Sequence, residues 1–338
     1  MAQTQYERVD DVLRDFQDEQ FERLVFELTE QIPQTQSLAH QLKSMGFSQV
    51  KARGWLKQLT SNVNVAEYMR SQVEALFDHN EKYHFESLPS HVFIVAALKQ
   101  LNGYAIPTNS GTCVIALPLP LTWSLVRIVD SSLSVIHRSA GYCEEHDVFE
   151  HAMSIAHQAL FFATLDFKHF AKSVDCNCFS LEKKQYAWHI SERIFLNVLL
   201  HEYGHLALGH LAGDAIAYNR DQSHENEHAA DKFAFEHLRQ AILVEHNELV
   251  KAGVDYDWLA GELSTIFGVF FAFLETLEYL VTSLLGEPLP STHPPARERR
   301  MRLAQQVGTF PASNHINQQL DFLVGVSIAA LNEIWGNR

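Results

Sequence analysis

A chain of 338 residues with 46% hydrophobic and 11% aromatic side chains has room for one large core or two smaller ones. Its formal net charge of −15 repels phosphate backbones, so nucleic acid is excluded as an expected partner. The first 20 residues are charged and lack a leader's apolar segment, and Cys113, Cys143, Cys176 and Cys178 show no disulfide framework; both point to the cytoplasm.

Residues 1–60 read as a small helical bundle. Val9, Val12, Leu13, Phe16, Phe21, Leu24, Val25 and Leu28 recur at helical spacing until Pro33 stops the run. A second helix is predicted over Ser37–Met45 and a third over Gln49–Leu59, with Gly46 between them. The run from Phe21 through Leu59 resembles the death-like effector-associated domains of bacterial defence proteins. That resemblance implies a protein partner for residues 1–60; the alternative is a helical extension packed on the rest. A helix over 62–88 (Val65, Met69, Val73, Leu76, Phe77) then opens a second domain, 61–338.

Strand character follows in HVFIVAALKQLNGYAIPTNSGTCVIALPLPL, residues 91–121. Glu145–Phe170 returns to a helical pattern through Val148, Phe149, Met153, Ile155, Ala156, Leu160, Phe161 and Leu165. Cys176 and Cys178 form a CxC with His169 and His189 nearby, but this is not a recognised four-ligand spacing, so ordinary thiols are expected there.

SERIFLNVLL (191–200) is an amphipathic helix that runs into HEYGHLALGH (201–210). His201 and His205 are spaced i, i+4 and share a helix face, so both can point at one ion. Glu202 can reach a water on that ion and take its proton. With 19 His in the chain, a chance HExxH is expected on the order of 0.1 times, and the bland alternative is a helix with two surface histidines. A third ligand is needed. His210 would lie about 140° around a continued helix from His205 and face away. HENEHAADKFAFEHL (224–238) offers Glu227 as ligand, with Asp231 one turn on to hydrogen-bond a metal-bound His. Glu225 and Asp221 remain competing ligands.

The run WLAGELSTIFGVFFAFLETLEYLVTSLL is strongly apolar. Its longest uncharged stretch, Leu263–Leu274, is 12 residues, short of the roughly 20 a membrane span needs, so a buried core helix is expected. STHPPARERRMRL (291–303) predicts a helix starting after Pro294 and Pro295, and 316–335 a last amphipathic helix.

Three stretches together carry a family resemblance. Thr292, His293, Pro294 and Arg299 resemble the THPxxxxR motif of the gluzincin peptidases related to the CaaX prenyl-protein endopeptidases. Asn102 to Pro107 is similar to that family's NAFALPGG segment, with Gly103 in place of its first Ala. The HExxH followed by Glu227 and Asp231 matches the gluzincin layout. The long segment between this strand and the HExxH, and the short one from His205 to Glu227, depart from the family. The Lit-type phage-exclusion peptidases are similar in general layout. The resemblance implies Zn²⁺ held by His201, His205 and Glu227, with Asp231 behind them. It implies Glu202 as base and His293 and Arg299 as oxyanion stabilisers. It also implies a substrate strand contacting Asn102, Tyr104, Thr112, Cys113 and Val114.

The expected fold is α+β and mostly helical: a zincin-like core with a small antiparallel or mixed sheet beside the HExxH helix, plus the N-terminal bundle. The expected function is a zinc-dependent endopeptidase acting on a protein or peptide, regulated as a bacterial defence effector, with no membrane span. The alternative is an inactive peptidase fold that works as a binding module.

Overall fold

The computed structural model describes residues 71–77, 85–96, 103–107, 113–136, 148–164, 167–170, 172, 181–211, 220–246, 256–289, 293–307 and 313–336. The bundle expected over 1–60, its boundary at residue 61 and the CxC pair lie outside them. Internal contacts divide the chain into two units, 1–123 with 205–215, and 124–204 with 216–338.

The first unit holds a three-stranded mixed sheet: β1 (His91–Ala96), β2 (Tyr104–Pro107) and β3 (Cys113–Pro118), in the order β1-β3-β2. β1 runs parallel to β3 with His91 opposite Cys113, and β2 runs antiparallel with Tyr104 opposite Ala116. Cys113, Ile115 and Leu117 alternate inward and are all buried, the period-two pattern of a strand. Phe77, on a helical segment at 71–77, meets the edge of Phe85 at 6.0 Å. One expectation is corrected here. A substrate strand was to add along β3, through Cys113 and Val114. β3 is the central strand, so both its backbone edges are already spent on β1 and β2. Only β1 and β2 have an edge left among the described residues, and Tyr104 is on β2.

The second unit is helical. Its elements are α1 (Leu119–Ile136, which begins in the first unit), α2 (Val148–Thr164), α3 (Phe167–Phe170), α4 (Leu181–Ala207, which ends in the first unit), α5 (Arg220–Glu245), α6 (Tyr256–Tyr279, closing in a π-helical turn Leu280–Leu284), α7 (Ala296–Val307) and α8 (Ser313–Gly336). The helices predicted over 145–170, 255–286 and 316–335 correspond to α2 with α3, to α6, and to α8. α7 starts after the two prolines, whose fixed φ and missing N–H suit a helix start.

α6 is the centre of this unit, largely apolar and packed against α2, α7 and α8. Phe267, Phe270, Phe271 and Phe273 are all buried, and Phe273 meets Phe162 of α2 edge-on at 5.4 Å. By length and composition alone Gly261–Leu284 could cross a membrane; here 72% of its most apolar part is buried within the protein.

Two helical glycines sit in opposite environments. A Cβ on Gly268 of α6 would stand 2.2 Å from Cδ1 of Leu320 on α8, a side chain with no exposure. A Cβ on Gly325 of α8 would meet nothing within 4 Å. Alanine gains up to about 1 kcal/mol over glycine inside a helix. Overpacking costs about 1–3 kcal/mol and wins at position 268. Gly268→Ala should therefore destabilise by about 1–2 kcal/mol, while Gly325→Ala should stabilise by about 0.5–1 kcal/mol. Denaturant midpoints of the two variants check this; equal signs would contradict the packing described.

Candidate metal centre

The site grows from two helices that approach closely. On α4, Gly204 lies between Glu202 and His205, and an added Cβ there would stand 3.1 Å from Cδ1 of the Phe233 ring on α5. Glycine lets α5 come in at this level. The face of α5 that meets α4 carries Glu227 and Asp231 one turn apart, both buried.

His201 lies between these two carboxylates. Its Nε2 is 3.3 Å from Oε2 of Glu227, and its Nδ1 is 3.0 Å from Oδ1 of Asp231. His205 follows one turn on along the same helix, and ligand atoms of His201, His205 and Glu227 all lie within 4.8 Å of one another. Glu202, 3% exposed, stands in the same charged environment.

α7 closes the site from the C-terminal part of the chain. Arg299 donates from Nε to Oδ2 of Asp231 at 2.9 Å and from Nη2 to Oδ1 at 2.6 Å, a two-pronged pairing. Its Nη1 is 3.8 Å from Oε2 of Glu227. Nε2 of His293, just before the helix, is 3.4 Å from Oε1 of Glu227. The oxyanion role that the resemblance implies for Arg299 meets a guanidinium already engaged with Asp231, an arrangement that suits a positioning group. His293, with 28% of its side chain exposed, is the more accessible of the pair.

Glu225, the competing ligand, is exposed and accepts a hydrogen bond from Arg302 instead. His210 also departs from expectation. α4 ends at Ala207, and Gly209 adopts a positive φ of 74°. The N–H of His210 then donates to the carbonyl of His205, and the two Nδ1 atoms come to 3.1 Å. A wheel that continued the helix sent His210 away; the glycine stop brings it back. Asn102 and Thr112 lie outside the described residues, and Tyr104, Cys113 and Val114 belong to the sheet of the first unit.

The electrostatics follow from burial and pairing. Burial pulls the His201 imidazole down, but Asp231 and Glu227 outweigh it and raise its pKa to about 10. Burial pushes the Glu202 carboxyl up to about 7. Burial works against the charge on Glu227, yet His201 and Arg299 hold its carboxyl well below the usual range. Asp231 is lowered in the same way, with Arg299 the main cause against burial. Burial lowers His293, which favours a neutral imidazole.

These residues fit a divalent ion. Two ligand atoms about 2.1 Å from one zinc in a tetrahedron are about 3.4 Å apart, close to the 3.3 Å between His201 and Glu227. Asp231 on Nδ1 fixes the tautomer that leaves Nε2 free to bind. Glu227 and Asp231, both held ionised, give the site the negative charge that a bound cation would offset.

With this geometry in place, the comparisons narrow the class. The family model described as Peptidase U49 matches residues 181–319, from the first residue of α4 into α8. The match takes in His201, Glu202, His205, Glu227, Asp231, His293 and Arg299, and it supports a peptidase family for this chain. Comparison with curated proteins and with solved structures returned no match.

Sequence inspection missed the group that holds α7 in place. The carboxylate of Glu278, on α6, accepts the N–H of Ala296 at 2.8 and 3.1 Å, capping the helix that carries Arg299. Burial raises the Glu278 carboxyl from 4.5 to about 7. The native state therefore binds this proton more tightly than the unfolded chain. Its contribution to stability is full below pH 4.5 and is lost as pH rises through about 7. Glu278→Gln keeps an accepting oxygen and removes that dependence. Allowing for partial exposure, the variant should gain about 1 kcal/mol on the wild type between pH 5 and pH 8, a few degrees in Tm. Melting curves of both proteins across that range check it; parallel curves would contradict it.

Proposed function

We propose that the chain is a zinc-dependent endopeptidase of gluzincin type that hydrolyses a protein or peptide substrate. The observation that carries the reading is His201 set between Glu227 on Nε2 and Asp231 on Nδ1, directly ahead of Glu202. The match to a peptidase family over these same residues supports it.

His201, His205 and Glu227 would hold the ion. A zinc ion there supplies Lewis acidity, acidifying water and polarising a carbonyl. Glu202 accepts the proton of the attacking water and returns it to the leaving amine. Burial raises the affinity of this carboxylate for a proton, which suits a general base. His293, on the more open side of Glu227, would donate to the developing oxyanion. Asp231 and Arg299 act through His201 and Glu227, which they orient.

Two substitutions separate the roles. Glu202→Gln should leave bound metal unchanged and lower turnover about 10²–10⁴-fold. Glu227→Ala should lose about one equivalent of zinc, whereas Glu225→Ala should lose none. Elemental analysis beside a peptidase assay reads both. Full turnover by Glu202→Gln would sink the mechanism, and zinc retained without Glu227 would sink the ligand assignment.

A further inference from the structure

A second group of metal-ligating side chains lies at the other end of α4. His189 of α4, Glu262 of α6 and His246, the residue after α5, present ligand atoms within 4.8 Å of one another. Nε2 of His189 is 2.8 Å from Oε1 of Glu262, a carboxylate that is 5% exposed. A buried acid needs a hydrogen-bonded or charged partner, a demand that an imidazole or a metal ion can meet. The imidazoles of His189 and His246 are half-buried, so an ion could enter from solvent.

Neighbouring contacts build this convergence. Tyr186, His189 and Arg193 are spaced i, i+3, i+7 and share one face of α4. Arg193 pairs with Glu245, the last residue of α5, and so holds His246 beside α4. The backbone N–H of His246 still donates to the carbonyl of Ile242 at 3.0 Å, so its position is an extension of α5 rather than a loose tail. Tyr186, which interacts with Thr265 and with the charge of Glu262, borders the group on the α6 side. Three helices thus each supply one ligand.

We infer that His189, His246 and Glu262 form a second binding site, for an exchangeable divalent transition-metal ion, that clamps the far ends of the two helices carrying the candidate active site. Two imidazoles and a carboxylate are the donor set of Zn²⁺ and its first-row neighbours rather than of Ca²⁺ or Mg²⁺. Three protein ligands leave a coordination position to water, which suits reversible binding more than a closed structural zinc. His189 and Glu262 must separate by about 0.6 Å to reach the 3.4 Å expected across a zinc tetrahedron, a side-chain adjustment. The ion ties the end of α5 to α4 and α6. On α5 it sits 19 residues past Glu227, and on α4 12 residues before His201. Binding only the folded arrangement, it raises stability.

The site is tested in the full-length chain carrying His201→Ala and His205→Ala, titrated with Co²⁺. One saturable equivalent with visible absorption is expected, with a melting temperature raised by several degrees at saturation. Adding His246→Ala or Glu262→Gln should abolish both signals. No saturable equivalent, or one that survives both substitutions, overturns the proposal. Should the double substitution prevent folding, the wild-type chain against His246→Ala should take up two equivalents against one, and equal uptake overturns it. Because the two groups share no ligand, failure of the first centre appears in the His201 and Glu227 variants and leaves this result unchanged.

Discussion

The carboxylate of Asp231 is the point on which the site depends. It accepts two hydrogen bonds from Arg299 of α7 and faces Nδ1 of His201 on α4. Two helices, α4 and α7, therefore meet on one buried side chain of α5. Such a pairing is not itself a strong source of stability, because desolvating an aspartate and an arginine costs several kcal/mol apiece. What it supplies is orientation. The planar guanidinium fixes the carboxylate, the carboxylate fixes the imidazole, and Nε2 is left aimed at Glu227. Removing Arg299 would leave the buried Asp231 with His201 facing it but without its two-pronged partner, the costly half of a buried ion pair. The separation of roles follows: Arg299 is 3% exposed and spent on Asp231, whereas His293 keeps an open side.

The sequence made the local part of this legible and left out the non-local part. His201, His205, Glu227 and Asp231 were readable because each pair lies one helical turn apart, and helix periodicity turns spacing into a shared face. The position of Arg299 was readable from its motif, but its partner was not, since nothing in the spacing of α7 points to Asp231, 68 residues earlier. His210 was misjudged because the helical wheel was carried past Gly209, whose positive φ ends the helix. The place of β3 was misjudged because strand order is set by pairing between segments, and no pattern within one strand records it. His189, Glu262 and His246 fall in three different segments, which is why the sequence set His189 beside the CxC and not with Glu262 and His246.

α6 shows how one element can serve both core and site. Its apolar residues face α2, α7 and α8, and its length and composition alone would also suit a lipid environment. The acids that interrupt its apolar run settle what it packs against in this structure. Glu262 pairs with His189 of α4, Glu275 lies 3.2 Å from Arg300 of α7, and Glu278 caps the first turn of α7. Arg300 also reaches Asp321 of α8 at 2.7 Å, so α6, α7 and α8 are tied by one guanidinium. A carboxylate withdrawn from water needs a charged or N–H partner at hydrogen-bond distance, and each of these has one. Because those partners sit on specific neighbours, the acids fix the rotation and height of α6 in a way its phenylalanines cannot: apolar contacts are non-directional and tolerate small slides. That register then passes to the candidate metal centre. Glu278 sets where α7 begins, and the start of α7 sets where Arg299 meets Asp231.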